Sequence, residues 1–131
     1  MLLYILMVYG VFLVGLSVCK SAEWFLPQLY VIEHWLGGDK WMHLTLSTIL
    51  ASLVFFATER KIGMTGVKRV TILFVILFVL LATDELLQYF VSTRRLDIKD
   101  FVAGMTGLVL GLLFYVVLNG LLKLRNVLVK K

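Results

Sequence analysis

Four stretches of this chain stay apolar for about as long as a helix needs to cross a bilayer, and this restricts its fold more than any other feature. Residues 1–19 form the first, closed by Lys20. The second covers 41–58 and is weaker, because Thr45, Ser47, Thr48 and Ser52 interrupt it. The third covers 70–90 and the fourth 101–122. A hydrocarbon core of about 30 Å takes about 20 helical residues at a rise of about 1.5 Å each. Apolar residues in these stretches neither alternate nor form short runs bounded by turns, so strands are excluded. The chain has 131 residues, 61% hydrophobic and 16% charged, with mean hydropathy +0.98. Soluble domains average about 45–50% apolar and about 25% charged, and one of this size cannot bury so much apolar surface. A single Pro and the lack of Ser/Gly-rich tracts argue against linkers or disorder. The expected fold is an all-α membrane protein, one domain over 1–131, with four transmembrane helices in a compact bundle.

The segment SAEWFLPQLYVIEHWLGG, residues 21–38, separates the first two spans. Trp24, Phe25, Tyr30 and Trp35 favour the headgroup level. Pro27 disfavours a helical Leu26, and Gly37 and Gly38 read as a stop before the second span. An interfacial amphipathic segment is expected; a longer, kinked first helix is the alternative. Cys19 stands alone and cannot form an intramolecular disulfide. As a lipid-anchor site, LSVCKS is poor: Val18 precedes the cysteine where a small residue is usual, and no Lys or Arg precedes the apolar run.

Basic residues set the expected orientation. Arg60, Lys61, Lys68 and Arg69 lie in the loop between spans two and three, and Lys123, Arg125, Lys130 and Lys131 in the tail. These eight of thirteen basic residues fall on one side of a four-span chain, so the positive-inside rule puts both termini in the cytoplasm. Anionic headgroups are better partners for them than nucleic acid. Asp39, Lys40, His43, Asp84, Glu85, Gln88, Arg94, Arg95, Asp97 and Asp100 then gather at the outer ends of spans two, three and four.

Helical spacing sharpens that convergence. Asp39, His43 and Ser47 recur every four residues and share a face. Asp84 and Gln88 are four apart, Glu85 and Gln88 three. Asp97, Asp100 and Gly104 continue the rule, and Gly104, Gly107 and Gly111 let the last helix approach its neighbours closely. Ionisable groups within spans face the interior or water and mark function by default. Five carboxylates (Asp39, Asp84, Glu85, Asp97, Asp100) against four bases (Lys40, Lys99, Arg94, Arg95) also describe a salt-bridge network that only pins helices. Asp84 and Glu85 are expected to face Lys40, His43 and the arginines.

Several chemistries fit these residue types. His43 with Asp39, Glu85 and Asp100 has the donors for a divalent metal, but one histidine and no tight ligand motif give it little support. His34 in the aromatic segment reads as interfacial rather than as a ligand. We expect no metal and no cofactor. Ser47 one turn from His43 lacks the frame of a hydrolytic nucleophile. General acid/base chemistry by His43 and Glu85 is an alternative. The favoured reading is a ligand site for an anionic lipid headgroup, with Arg94, Arg95 and Lys40 as donors oriented by carboxylates. The oligomeric state stays open.

At these residues the sequence resembles the VanZ-like family of small bacterial membrane proteins. The family's Asp-Lys-x-x-His is here DKWMH, Asp39 to His43. Its acidic residue three positions before Gln is here Glu85 and Gln88. Its Arg six residues before an Asp is here Arg94 and Asp100, leading into a Gly-rich helix with Gly107 and Gly111. Order, spacing and hydropathy agree over residues 39–111. The family usually has Asn four residues after that Asp, where this chain has Gly104, so a ligand contact made by that Asn is missing here or supplied from elsewhere. The resemblance implies a cell-envelope protein of the bacterial plasma membrane. The family's founding member is associated with low-level teicoplanin resistance. By analogy, the ligand would be an anionic lipid or a cell-wall precursor.

Overall fold

A computed structural model describes residues 1–59, 62, 66–90 and 97–129 of the chain. The order is α1 (Leu2–Ser21), α2 (Leu26–Trp35), α3 (Asp39–Thr58), α4 (Gly66–Tyr89) and α5 (Ile98–Val129), with no strand among the described residues. All but α2 are long and apolar enough to cross a membrane, which makes this a multi-pass membrane protein by the length and composition of its helices.

Each helix follows from its sequence. α1 is apolar all round and has no buried residue, as a helix solvated by lipid requires. The chain breaks after it at Glu23 (φ 57°) and Phe25 (φ 58°), and Pro27 then sits in the first turn of α2, where its missing N–H costs nothing. The break expected at Leu26 therefore falls just before it, and a longer, kinked first helix is not what forms. α2 ends in a Schellman motif: Gly38 N–H donates to the Glu33 carbonyl and Gly37 N–H to that of His34. Gly37, at φ 94°, supplies the left-handed residue that this motif needs.

Thr48, Ser52 and Thr58 in α3 donate their hydroxyls to the carbonyls of Leu44, Thr48 and Val54, at 2.7–2.8 Å. Thr48 and Ser52, two of the four polar residues that weaken this span by hydropathy, thus satisfy themselves within the helix, the solution a lipid environment demands.

The most extensive contact runs between α3 and α5. Asp100, Gly104, Gly107, Leu108, Gly111 and Tyr115 form one buried stripe on α5 and meet Ser47, Ala51 and Phe55 on α3. A Cβ at Gly107 would collide with the Leu44 carbonyl oxygen, and one at Gly111 would lie 2.6 Å from the Thr48 carbonyl oxygen. The helix backbones are in contact there, as the glycine spacing predicts. Ala51, Phe55, Leu77, Leu108 and Tyr115 form the core.

Two expectations about the opposite end change. α5 continues to Val129, past the expected end of the span at 122, so Lys123 and Arg125 are helical. Arg69, read as a loop charge, lies on the first turn of α4 and is 2% exposed. Its guanidinium donates to the Phe55 carbonyl (2.9 Å), the Thr58 hydroxyl (3.0 Å) and the Tyr115 hydroxyl, and stacks over the Tyr115 ring. Asn119 continues the network by donating to Tyr115 and Glu59. Arg60, Lys61, Lys130 and Lys131 lie outside the described residues.

Candidate functional site

Polar side chains from all five helices gather at the end where α1 and α4 finish and α3 and α5 begin. α1 contributes Ser17 and Lys20, and α2 contributes Glu33. Asp39, Lys40 and His43 come from α3, and Asp84, Glu85 and Gln88 from α4. Asp97 and Asp100 stand at the start of α5. The helix dipoles favour part of this pattern: Asp39 and Asp100 lie in first turns and Lys20 in a last turn.

The charges sort into three groups. Lys20 Nζ bridges Glu33 Oε1 at 2.9 Å and Asp39 Oδ1 at 2.7 Å. Lys40 Nζ bridges Asp97 Oδ2 at 3.0 Å and Asp100 Oδ1 at 2.9 Å. Gln88 joins the carboxylates of α4, donating to Glu85 Oε2 at 3.2 Å and to Asp84 Oδ2 at 3.4 Å. Asp84 also accepts from Ser17 at 2.9 Å, and Glu85 from the Asp97 backbone N–H at 3.3 Å. His43 joins the first group, with Nε2 3.6 Å from Asp39 Oδ1.

This changes the part of one expectation that concerns Lys40, while Asp84 and His43 do line one cleft. Lys40 pairs across α3 and α5 with Asp97 and Asp100; the described partners of Asp84 and Glu85 are Ser17, Gln88 and the Asp97 backbone. The reason lies in the packing. α3 runs closest to α5, so a lysine at the start of α3 reaches the start of α5 first. Arg94 and Arg95 lie outside the described residues.

Lys20 and Glu33 belong to the site and were not in the predicted set. Lys20 reads from sequence as the close of an apolar run, and Glu33 as one polar residue in an aromatic segment. The signal was the burial of a carboxylate: Glu33 is the buried residue of α2, and a carboxylate there needs a cation nearby. Burial raises the Glu33 carboxyl above its ordinary range, with the adjacent Asp39 carboxylate adding to it against the pull of Lys20. One ammonium between two carboxylates does not neutralise both. Asp97 shifts the other way, lowered by the Lys99 backbone N–H and by Lys40.

Donor atoms of Asp39, His43 and Asp100 come within 4.8 Å of one another. The set is rich enough in donors for a divalent cation, but each carboxylate already serves a lysine. Glu85, the fourth donor expected from sequence, is not in it. Among the described contacts, His43 and Glu85 belong to different groups.

Beside the charges a cleft opens between α1 and α4, with α3 as its floor and a volume of about 460 Å³. Its deep end is apolar, at Gly10, Leu50 and Leu77, and its shallow end carries Lys20, Glu33, His43 and Asp84. Tyr9 fixes the far edge of α1 to α3 by donating to the Leu46 carbonyl at 2.9 Å. A second cavity of about 410 Å³ shares Ser17 and Asp84 with the first, so their hydrogen bond stands between the two.

Comparisons of the chain with protein-family models, curated proteins and solved structures each find no match.

Proposed function

We propose that this chain is a VanZ-like protein of the bacterial plasma membrane whose charged end holds the phosphate-bearing headgroup of a lipid or lipid-linked cell-wall intermediate. Both termini lie in the cytoplasm, the four spans pack as a compact bundle, and the charged end faces outward. α2 lies in the outer interface, its exposed Trp35 and Tyr30 among headgroups. The motifs from Asp39 to Gly111 and the basic residues at the opposite end support this placement.

One observation carries the reading: ionisable side chains from four helices, Lys20, Glu33, His43 and Asp84, line the shallow end of an apolar cleft, the combination expected of an amphiphile site. Lys20 and Lys40 are each held by two carboxylates, so the phosphate is left to Arg94 and Arg95 in the α4–α5 connection. Phospholipid binding by purified protein, measured for wild type, Arg94→Ala and Asp100→Ala, tests it. Both variants should fold and bind more weakly, and teicoplanin susceptibility of cells expressing them should follow. Unchanged binding in both folded variants would remove the reading.

A second reading rests on those same doubly held lysines. They fit a network that only pins helices, in which case His43→Ala and Glu85→Ala reduce function only as far as they reduce stability.

A further inference from the structure

We infer that the α1–α4 cleft holds one acyl chain of an ammonium-bearing phospholipid such as phosphatidylethanolamine, its ammonium at Asp84 and Glu33. The inference deepens the lipid reading of the charged end by naming the lipid class and the place of its chain.

Depth is the first argument. Along α1 the cleft runs from Gly10 to Lys20, and along α4 from Leu77 to Leu87. Ten residues of helix rise about 15 Å, half of a hydrocarbon core of about 30 Å. The cleft therefore starts at the charged end and stops at mid-membrane, the depth of a single leaflet. Its deep end is closed by the core residues Leu77 and Leu108. A site shaped for a spanning peptide would continue to the other end of the helices; this one does not.

Charge is the second. Among the described residues, the charged side chains that face the cleft are Lys20, Glu33 and Asp84, with His43 beside them. Lys20 is held by Glu33 and Asp39, and Asp84 accepts hydrogen bonds from the neutral Ser17 and Gln88. Among the described residues, the cleft mouth is therefore rich in acceptors and carries an excess of negative charge. A headgroup with only a phosphate would meet repulsion there. A phosphate followed by an ammonium matches it, with the ammonium at the carboxylates.

Glycines on α1 provide the test. Gly10 lines the cleft and Gly15 does not, and a Cβ at either meets nothing within 4 Å. Gly10→Phe fills the deep end, while Gly15→Phe puts the same bulk on the same helix outside the cleft. Wild type and both variants, purified in detergent, are exposed to dioleoyl phosphatidylethanolamine or dioleoyl phosphatidylglycerol, and retained lipid is counted by native mass spectrometry. Wild type and Gly15→Phe should retain one phosphatidylethanolamine in preference to phosphatidylglycerol, and Gly10→Phe should lose it. Glu33→Gln with Asp84→Asn should erase a preference of about ten-fold, the equivalent of about 1.4 kcal/mol. If Gly10→Phe melts lower than Gly15→Phe, Gly10→Leu takes its place in the comparison. Lipid retained equally by the Gly10 and Gly15 variants, or phosphatidylglycerol held as well as phosphatidylethanolamine, would overturn the inference while leaving a lipid site at the charged end. Retention sensitive to Gly10→Phe but indifferent to Arg94→Ala and Asp100→Ala would instead keep the cleft and remove the charged-end reading.

Discussion

Lys20 Nζ lies 2.7 Å from Asp39 Oδ1, joining the last turn of α1 to the first residue of α3. The same ammonium holds Glu33, so one side chain ties the last turn of α2 to the spans on either side. Apolar packing cannot provide this at a membrane surface, where α2 leaves most of its side chains exposed.

Replacing Lys20 by Met should therefore leave two adjacent carboxylates without their cation. Removing one partner of a fully buried pair costs about 3–5 kcal/mol. Here the Lys20 and Asp39 side chains keep 23% and 35% of their exposure, so a cost of about 1–3 kcal/mol is expected. Thermal melting in detergent of Lys20→Met, Asp39→Asn and the double variant measures it. The double variant should be less destabilised than the sum of the singles, and strict additivity would show that the pair contributes nothing.

The glycine stripe makes a sharper demand. Gly107→Ala drives a methyl into the Leu44 carbonyl oxygen, and Gly111→Ala into Ala51 and the Thr48 carbonyl. Backbone cannot yield as a flexible side chain can, so each should cost about 1–3 kcal/mol by forcing α3 and α5 apart. Gly120→Ala, on the same helix, meets nothing within 4 Å and should gain up to about 1 kcal/mol from helix propensity. Melting temperatures of the three variants check the contrast, and equal effects at Gly107 and Gly120 would contradict it.

That stripe was legible in sequence because period alone defines it: Gly104, Gly107 and Gly111 must share a face of any helix that contains them. The same holds for Asp39 and His43, and for Glu85 and Gln88. Which helix each face would meet was not legible. Lys40 reaches α5 rather than α4 because the glycines draw α5 onto α3, a consequence of packing between helices rather than of spacing within one. Lys20 and Glu33 escaped because they stand at the ends of segments, where periodicity carries no information. Arg69 escaped for a related reason. Beside Lys68 it looks like one more loop charge, yet α4 begins at Gly66 and turns its guanidinium inward.

Arg69 should be the least replaceable charge at its end of the molecule. Its three hydrogen bonds tie α4 to the Phe55 carbonyl and Thr58 of α3 and to Tyr115 of α5. Arg69→Leu removes them, leaving the Thr58 hydroxyl without its donor and the Tyr115 hydroxyl with Asn119 alone, in a buried site. A loss of about 3 kcal/mol or more is expected. Tyr115→Phe, which keeps the ring against Phe55 and Phe56, should cost about 1–2 kcal/mol. If Arg69→Leu melts like Lys68→Leu, which alters an exposed lysine in the same turn, the inward network contributes little.

Two carboxyls at the charged end should give stability opposite dependences on pH. Asp97 is lowered in the fold by the Lys99 N–H and Lys40. Its stabilisation is complete above the ordinary aspartate value, about 3.9, and is lost as pH falls through the lower folded value. Glu33 is raised by burial and by Asp39, so the fold binds its proton more tightly than the unfolded chain does. Its stabilisation is present below the ordinary glutamate value, about 4.3, and is lost as pH rises through the higher folded value. Glu33→Gln should therefore match wild type in acid and gain on it toward neutral pH, since Lys20 keeps Asp39 as partner. Asp97→Asn should match wild type at the lowest pH and fall behind above about pH 4. Melting curves of the three proteins between about pH 3 and pH 7 separate the two slopes. A Glu33→Gln curve that runs parallel to wild type across that range would mean that the Lys20 ammonium, and not burial, sets the charge of Glu33.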